Sequence, residues 1–290
     1  MRNLFLAIVL LFPLSLHATE KVKVVTSFSI LADLVSEVGG DRIELTNFVG
    51  ADADAHKYEP SPDNAKALLR ANLIVANGLG FEPWLDRLLA STESTGKRIN
   101  ASAGVLPLML EDEGEQVPDP HAWQSLSNAE IYVRNIANAL IDVDPTHAEE
   151  YASRRDAYLT HLHAMLKEAN NLFASLPASK RKVVTSHDAF GYLGQAWQLQ
   201  FIAPQGLSTH DEPSAGEVAA LIRQLRKEGV RAVFVENIRD SRLIQQIAEE
   251  AGAKVGGTLY SDALASQAPA NTYLGMFKHN LSTLMAALKP

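Results

Sequence analysis

Four polar residues of this chain stand where chemistry would collect: His56, His121, His187 and Asp262. Each falls in a loop, and two of them sit just past apolar runs that read as strands. His187 follows the run ending at Ser186, and Asp262 follows the run ending at Tyr260. In open parallel sheets, ligands gather beyond the carboxyl ends of the strands. Two candidates come from the first half of the chain and two from the second, so facing halves would line one cleft with all four. Imidazole and carboxylate together are donors for a divalent transition metal. Plainer readings stand beside that one: a lone loop histidine is more often solvated or a local cap, and an aspartate after a strand is commonly a turn residue. No HExxH pair is present, so spacing alone leaves the choice open. The other histidines have other expectations. His147, His161 and His163 lie along a long helix, His210 precedes Asp211-Glu212-Pro213 and should face solvent, and His279 belongs to the last helix. Tyr58 and Trp123 read as packing residues, and the acidic run 111–115 as a solvated loop.

The elements that must position these residues centre on one segment. From Tyr151 to Leu176 the apolar residues recur with a 3.6-residue period and a polar opposite face, which predicts a long amphipathic helix. Asp144 and Pro145 suit its start and Pro177 its stop. Before it, apolar runs at 22–27, 43–48, 73–76 and 98–100 alternate with helical stretches. After it, the runs 182–186, 231–236 and 254–260 do the same. That alternation predicts parallel α/β sheets. The pattern also restarts: Lys182-Val183-Val184-Thr185-Ser186 repeats Lys23-Val24-Val25-Thr26-Ser27, and Glu212-Pro213-Ser214 repeats Glu59-Pro60-Ser61. Capping patterns mark helix starts at Ser61-Pro62, at Ser127 with Glu130, and at Ser214 with Glu217. The expected fold is α/β, with two related lobes, each a small parallel sheet flanked by helices, joined by one long rigid helix. Its expected division is a signal peptide at 1–18, an N-terminal lobe at 19–143, a linking helix at 144–177 and a C-terminal lobe at 178–290.

Bulk properties narrow the partners. The chain has 290 residues, 47% of them hydrophobic, and a formal net charge of -8. With no cluster of Lys and Arg to neutralise phosphates, a nucleic-acid surface is not expected. Arg2 followed by the apolar run Leu4–Leu16, with Ala18 behind it, reads as a cleaved secretory signal. There are no cysteines, which removes disulfides and the thiol that a bacterial lipid anchor needs. The expectation is an exported periplasmic protein, a monomer, whose metal ligands must be His, Asp, Glu or carbonyl groups.

Four segments then carry a family resemblance: Ala55-His56-Lys57-Tyr58-Glu59-Pro60-Ser61-Pro62, Asp119-Pro120-His121-Ala122-Trp123, Thr185-Ser186-His187-Asp188-Ala189-Phe190-Gly191-Tyr192, and Leu259-Tyr260-Ser261-Asp262. In this order they resemble the metal-binding solute-binding proteins of ABC transporters, the zinc/manganese group called cluster A-I. The resemblance runs from about residue 21 to the end. It implies ligands at His56 and His121 from the first lobe and at His187 and Asp262 from the second. It also implies an inner-membrane ABC permease as partner, with an accessory metallochaperone as a further candidate. Manganese members of the family commonly carry Glu where this chain has His187. Many zinc members carry a His-rich insertion where this chain has only 111–116.

The residues themselves favour zinc. Three imidazoles and one carboxylate form a four-coordinate N/O set suited to Zn²⁺, whereas Mn²⁺ prefers more oxygen and Fe²⁺ also stands below zinc in affinity order. Ligating imidazoles need a carboxylate or carbonyl on the other ring nitrogen, and Glu59 and Glu236 are the candidates for that role. The expected function is capture of Zn²⁺ between the lobes and delivery to the permease, without catalysis. The stiff helix implies limited rotation, with the loops bearing His187 or Asp262 governing release. The alternatives are a manganese or iron carrier on the same scaffold, a zinc hydrolase with Asp262 as base, and a surface adhesin.

Overall fold

The computed structural model describes residues 20–289 except 113, 211 and 231, so the expected signal segment lies outside the described residues. In chain order the first lobe contains β1 (Val22–Phe28), α1 (Ser29–Gly39), β2 (Ile43–Val49), α2 (Pro62–Arg70), β3 (Leu73–Ala76), α3 (Pro83–Ala90) and β4 (Lys97–Asn100). A hairpin of β5 (Met109–Asp112) and β6 (Glu115–Pro118) then leads to α4 (Leu126–Val143) and the long α5 (Ala148–Ala174). The second lobe contains β7 (Lys182–Val184), α6 (Gly191–Trp197), β8 (Gln200–Ile202), α7 (Ala215–Glu228), β9 (Ala232–Glu236), α8 (Arg242–Ala251), β10 (Lys254–Leu259) and α9 (Tyr273–Leu288).

The two large sheets are wholly parallel and share one topology. The first runs β2-β1-β3-β4 and the second β10-β9-β7-β8. Numbered from the first strand of each lobe, both read 2-1-3-4. The repeated Lys-Val-Val-Thr-Ser segments are therefore the first strands, β1 and β7, from which each sheet is wound outward in both directions. That is the switch point at which crevices open in such sheets.

The long helix starts one turn later than the sequence suggests, after a 3-10 turn at Pro145–His147. Asp144 serves a side-chain role there: its carboxylate accepts from the Tyr151 hydroxyl at 2.8 Å and lies 2.7 Å from His147 Nδ1. At 27 residues α5 is about 40 Å long. It packs against α1, α4 and α9, so it belongs to a shared interior as well as linking the lobes. Tyr151, Tyr158, Leu162 and Phe173 enter a core that also takes in β1, β3 and α9. A smaller separate core lies between α7, α8 and the second sheet, built on Leu225, Val233, Ile244 and Ile247.

Local signals account for most helix starts. Ser61 caps α2 with Asn64 in a reciprocal box and Pro62 in the first turn, and Ser214 with Glu217 does the same for α7. The cap of α4 is Ser125, whose hydroxyl accepts the Asn128 N–H at 3.3 Å. Glu130, expected to close a box with Ser127, is directed to Arg134 and His163 instead. The acidic run expected as a solvated loop at 111–115 falls within the β5–β6 hairpin, with Leu110 opposite Val117 and Glu111 opposite Gln116.

Candidate metal centre

The loops at the ends of the first strands and their neighbours bring His56, His121, His187 and Asp262 together. One donor atom from each lies within 4.8 Å of the other three. His121 Nε2 is 3.4 Å from His56 Nε2, and Asp262 Oδ2 is 3.2 Å from His56 Nε2 and 3.1 Å from His187 Nε2. Bonds of about 2.0–2.1 Å to a tetrahedral ion place ligand atoms about 3.3–3.4 Å apart, close to these separations. His121, His187 and Asp262 have no solvent exposure, and His56 retains 7%. Phe81 closes one side, with its ring 4.7 Å from that of His56 and 4.8 Å from that of Trp123.

Each histidine loop is braced by a backbone-directed carboxylate. Asp119 Oδ1 accepts the His121 N–H at 2.9 Å and lies 2.8 Å from its Nδ1, which leaves Nε2 aimed at the cluster. Asp54 Oδ1 accepts the His56 N–H at 3.0 Å in the same i, i+2 relation. Glu236 Oε1 accepts the N–H groups of Ser186 and His187 at 2.7 and 3.0 Å. Its Oε2 faces His187 Nδ1 at 2.7 Å as an ion-pair contact, off the line of a good hydrogen bond. Glu236 thus stands where a carboxylate partner for a ligating imidazole is needed. Glu59 does not: its side chain is exposed and makes no hydrogen bond to His56. The chain leaves the His56 turn toward Ser61, and this carries Glu59 out to solvent while Asp54 faces inward. Asp119 and Asp54 are the bracing residues that the sequence reading passed over. Both first-lobe histidines carry an Asp two positions earlier, a visible Asp-x-His pattern.

Contacts between the lobes converge on the same place. Trp123 Nε1 and Gln124 Nε2 donate to the Ser261 carbonyl at 2.8 and 2.6 Å, so the turn after His121 grips the peptide next to Asp262. The Asp52 N–H donates to the Leu264 carbonyl at 2.9 Å, and the Thr209 hydroxyl donates to Asp54 Oδ2 at 2.7 Å.

The electrostatics are those of a site made for positive charge. Burial alone would raise the Asp262 carboxyl, but His187 and His121 beside it hold it well below the usual carboxylate range. Burial alone would lower the His187 imidazole, but the Glu236 and Asp262 carboxylates lift it well above the ordinary histidine value. His56 has less compensation, and desolvation pushes it down. The two buried acids beside His187 favour its protonated form, so metal binding there competes with a proton.

Comparison with known proteins identifies the family. The family model described as zinc-uptake complex component A, periplasmic, matches residues 24–287. The chain belongs to that family. Among its relatives, the substrate-binding lipoprotein SsaB of Streptococcus sanguinis is 33% identical over 278 residues, covering 93% of this chain and 90% of that protein. The manganese-binding lipoprotein MntA of Halalkalibacterium halodurans is 31% identical over 271 residues, covering 93% and 89%. Among solved structures, the periplasmic zinc-binding protein TroA of Treponema pallidum superposes with a TM-score of 0.88 at 28% identity, covering 93% of this chain and all of that one. The manganese-bound periplasmic protein of Candidatus Liberibacter asiaticus gives 0.83 at 29%, covering 92% and 99%. The chain is thus a metal-binding substrate-binding protein of an ABC transporter, whose partner is a membrane permease. The family's members are transport proteins and not enzymes, which removes the hydrolase alternative.

Proposed function

We propose that this protein binds Zn²⁺ through His56, His121, His187 and Asp262 in the periplasm and delivers it to an inner-membrane ABC permease. The observation that carries the reading is the convergence of four buried donors within 4.8 Å. Three imidazole nitrogens and one carboxylate, with no second acid among the donors, suit Zn²⁺ better than Mn²⁺. Asp119 and Glu236 behind His121 and His187 fix ring orientation and raise ligand basicity. With four protein donors the ion needs no water, as befits carriage without chemistry.

A manganese reading is favoured by one specific feature. Asp262 Oδ1 is buried without a hydrogen-bond partner and lies 3.7 Å from His121 Nε2. Turned toward an ion, it would add a second oxygen and a fifth donor, and relatives named for manganese share this scaffold. Elemental analysis of protein isolated from the periplasm, followed by competition titration with Zn²⁺ and Mn²⁺, separates the two. Zinc co-purifying and outcompeting manganese supports the proposal, and manganese retained in the presence of zinc overturns it.

A further inference from the structure

With all four donors buried, an ion needs a way in and out, and only His56 among them meets solvent. A cavity of about 360 Å³ ends on His56. Its wall is mostly apolar, including Phe81, Val117, Pro120 and Leu207, and the imidazoles within that wall are His56 and His210. His210 is exposed and carries none of the cluster's donor atoms. Its backbone is nevertheless held by neighbours. Its N–H donates to Ser208 Oγ at 3.2 Å, and the adjoining Thr209 is fully buried. Thr209 donates its hydroxyl to Asp54 Oδ2, and the Thr209 carbonyl accepts from Arg239 Nη1 at 3.1 Å. The other oxygen of Asp54 holds the His56 backbone. One first-lobe carboxylate therefore fastens the His56 turn to the second-lobe strap 207–210, whose Leu207, Ser208 and His210 line the cavity.

We propose that this cavity is the exchange route for the metal ion and that His210 is a transient ligand on it, passing the ion to and from His56. An apolar wall offers a partly dehydrated divalent cation nothing to bind. A single imidazole at the mouth lets water ligands be replaced stepwise before His56 takes over. The inference rests on the metal-carrier reading above. Because such a ligand acts on the path and not on the end state, it must change entry and exit rates alike.

Stopped-flow exchange with Co²⁺ as spectroscopic probe, together with equilibrium titration of Zn²⁺ and Co²⁺, tests this on the intact protein. In His210→Ala, association and dissociation should each slow by about three- to tenfold, with affinity within about twofold of the parent. Val117→Trp, which adds bulk to the half-buried cavity wall, should slow both rates while the affinity stays put. Parental rates in His210→Ala overturn the relay, and parental rates in Val117→Trp overturn the route. A raised dissociation rate with lost affinity in His210→Ala would make it a resident ligand, which also contradicts the proposal. Failure of the parent protein to bind either ion would sink the carrier reading itself, a result distinct from all of these.

Discussion

The two lobes share a strand order but not the way they are held. In the first sheet β1 pairs with β2 from Val22–Ile43 to Phe28–Val49 and with β3 at three successive residues, and its helices join the core that contains α5. Among the described residues of the second sheet, β7 pairs with β9 at Val184 against Val233, and β10 breaks register between Val255 and Thr258. Its outer helices α7 and α8 cover a small core of their own. The lobe carrying His56 and His121 is therefore continuous with the body of the molecule. The lobe carrying His187 and Asp262 joins the same core through α6 and α9, by Phe190, Trp197, Tyr273 and Phe277, and only its α7–α8 layer packs apart. Such a division leaves the α7–α8 layer, and not the second lobe as a whole, outside the shared core.

The buried glutamates draw the same contrast. Glu236 in the second lobe faces His187, and that charge, outweighing its burial, keeps its carboxyl below the ordinary range. Glu82 in the first lobe accepts from the Ser27 hydroxyl at 2.6 Å and from the N–H groups of Asn77 and Gly78, with no imidazole beside it. Burial pushes it up to about 7. One acid serves the ion and the other serves the fold.

Ways to break this comparison fall in order of expected size. Removing a donor comes first: His121→Ala should lower zinc affinity by about 1,000-fold or more in a chelator competition, with the circular dichroism of the metal-free protein unchanged. Removing a brace comes next. Glu236→Gln and Asp119→Asn should each cost about 10–100-fold. If the Glu236 change left affinity untouched, orientation of His187 by that carboxylate would be wrong. A subtler approach to the same brace is Gly191→Ala. A methyl group there would stand 2.7 Å from Asp119 Oδ2, so the carboxylate must shift and carry His121 with it; a loss of about tenfold is expected in the same titration.

The smallest effect is on stability. Glu82, with an ordinary value of 4.5, titrates at about 7 in the fold, and Asp33, ordinarily 3.8, titrates at about 6 because it is buried. Both take up a proton on folding, so their contribution is complete below about pH 4 and is lost as pH rises through 6 and 7. Urea midpoints of the metal-free parent should fall between pH 5 and pH 8. In Glu82→Gln that fall should shrink, by an amount of order 3 kcal/mol at most for a fully buried acid. An unchanged slope would mean that Glu82 is ionised in the fold.

Much of this arrangement was legible in the chain. The strand repeats mark β1 and β7, and loop placement marks His56, His121, His187 and Asp262 as candidates that the family resemblance makes a ligand set. Capping chemistry marked α2 and α7 because Ser and its partner three residues later act locally. The same logic misplaces the start of α4 at Ser127, whereas the hydroxyl of Ser125 caps a helix that begins at Leu126. The hairpin at 109–118 was hidden because its acidic residues do not alternate with apolar ones, and its ladder rests on backbone pairing. Short β8 and α6, three and seven residues long, gave too little periodicity to read. Glu59 was chosen by nearness in sequence to His56, but a turn reverses direction within three residues. Asp54, on the other side of the histidine, had the i, i+2 relation that a backbone N–H needs.

The most direct test of the account is X-ray absorption at the zinc edge on protein loaded with one equivalent of Zn²⁺, comparing the parent with Asp262→Ala. The account predicts a four-coordinate ion with N/O ligands at about 2.0 Å and multiple scattering from three imidazoles, with one oxygen ligand altered in the variant. A shell of six oxygens, or scattering from fewer than three imidazoles in the parent, would contradict it.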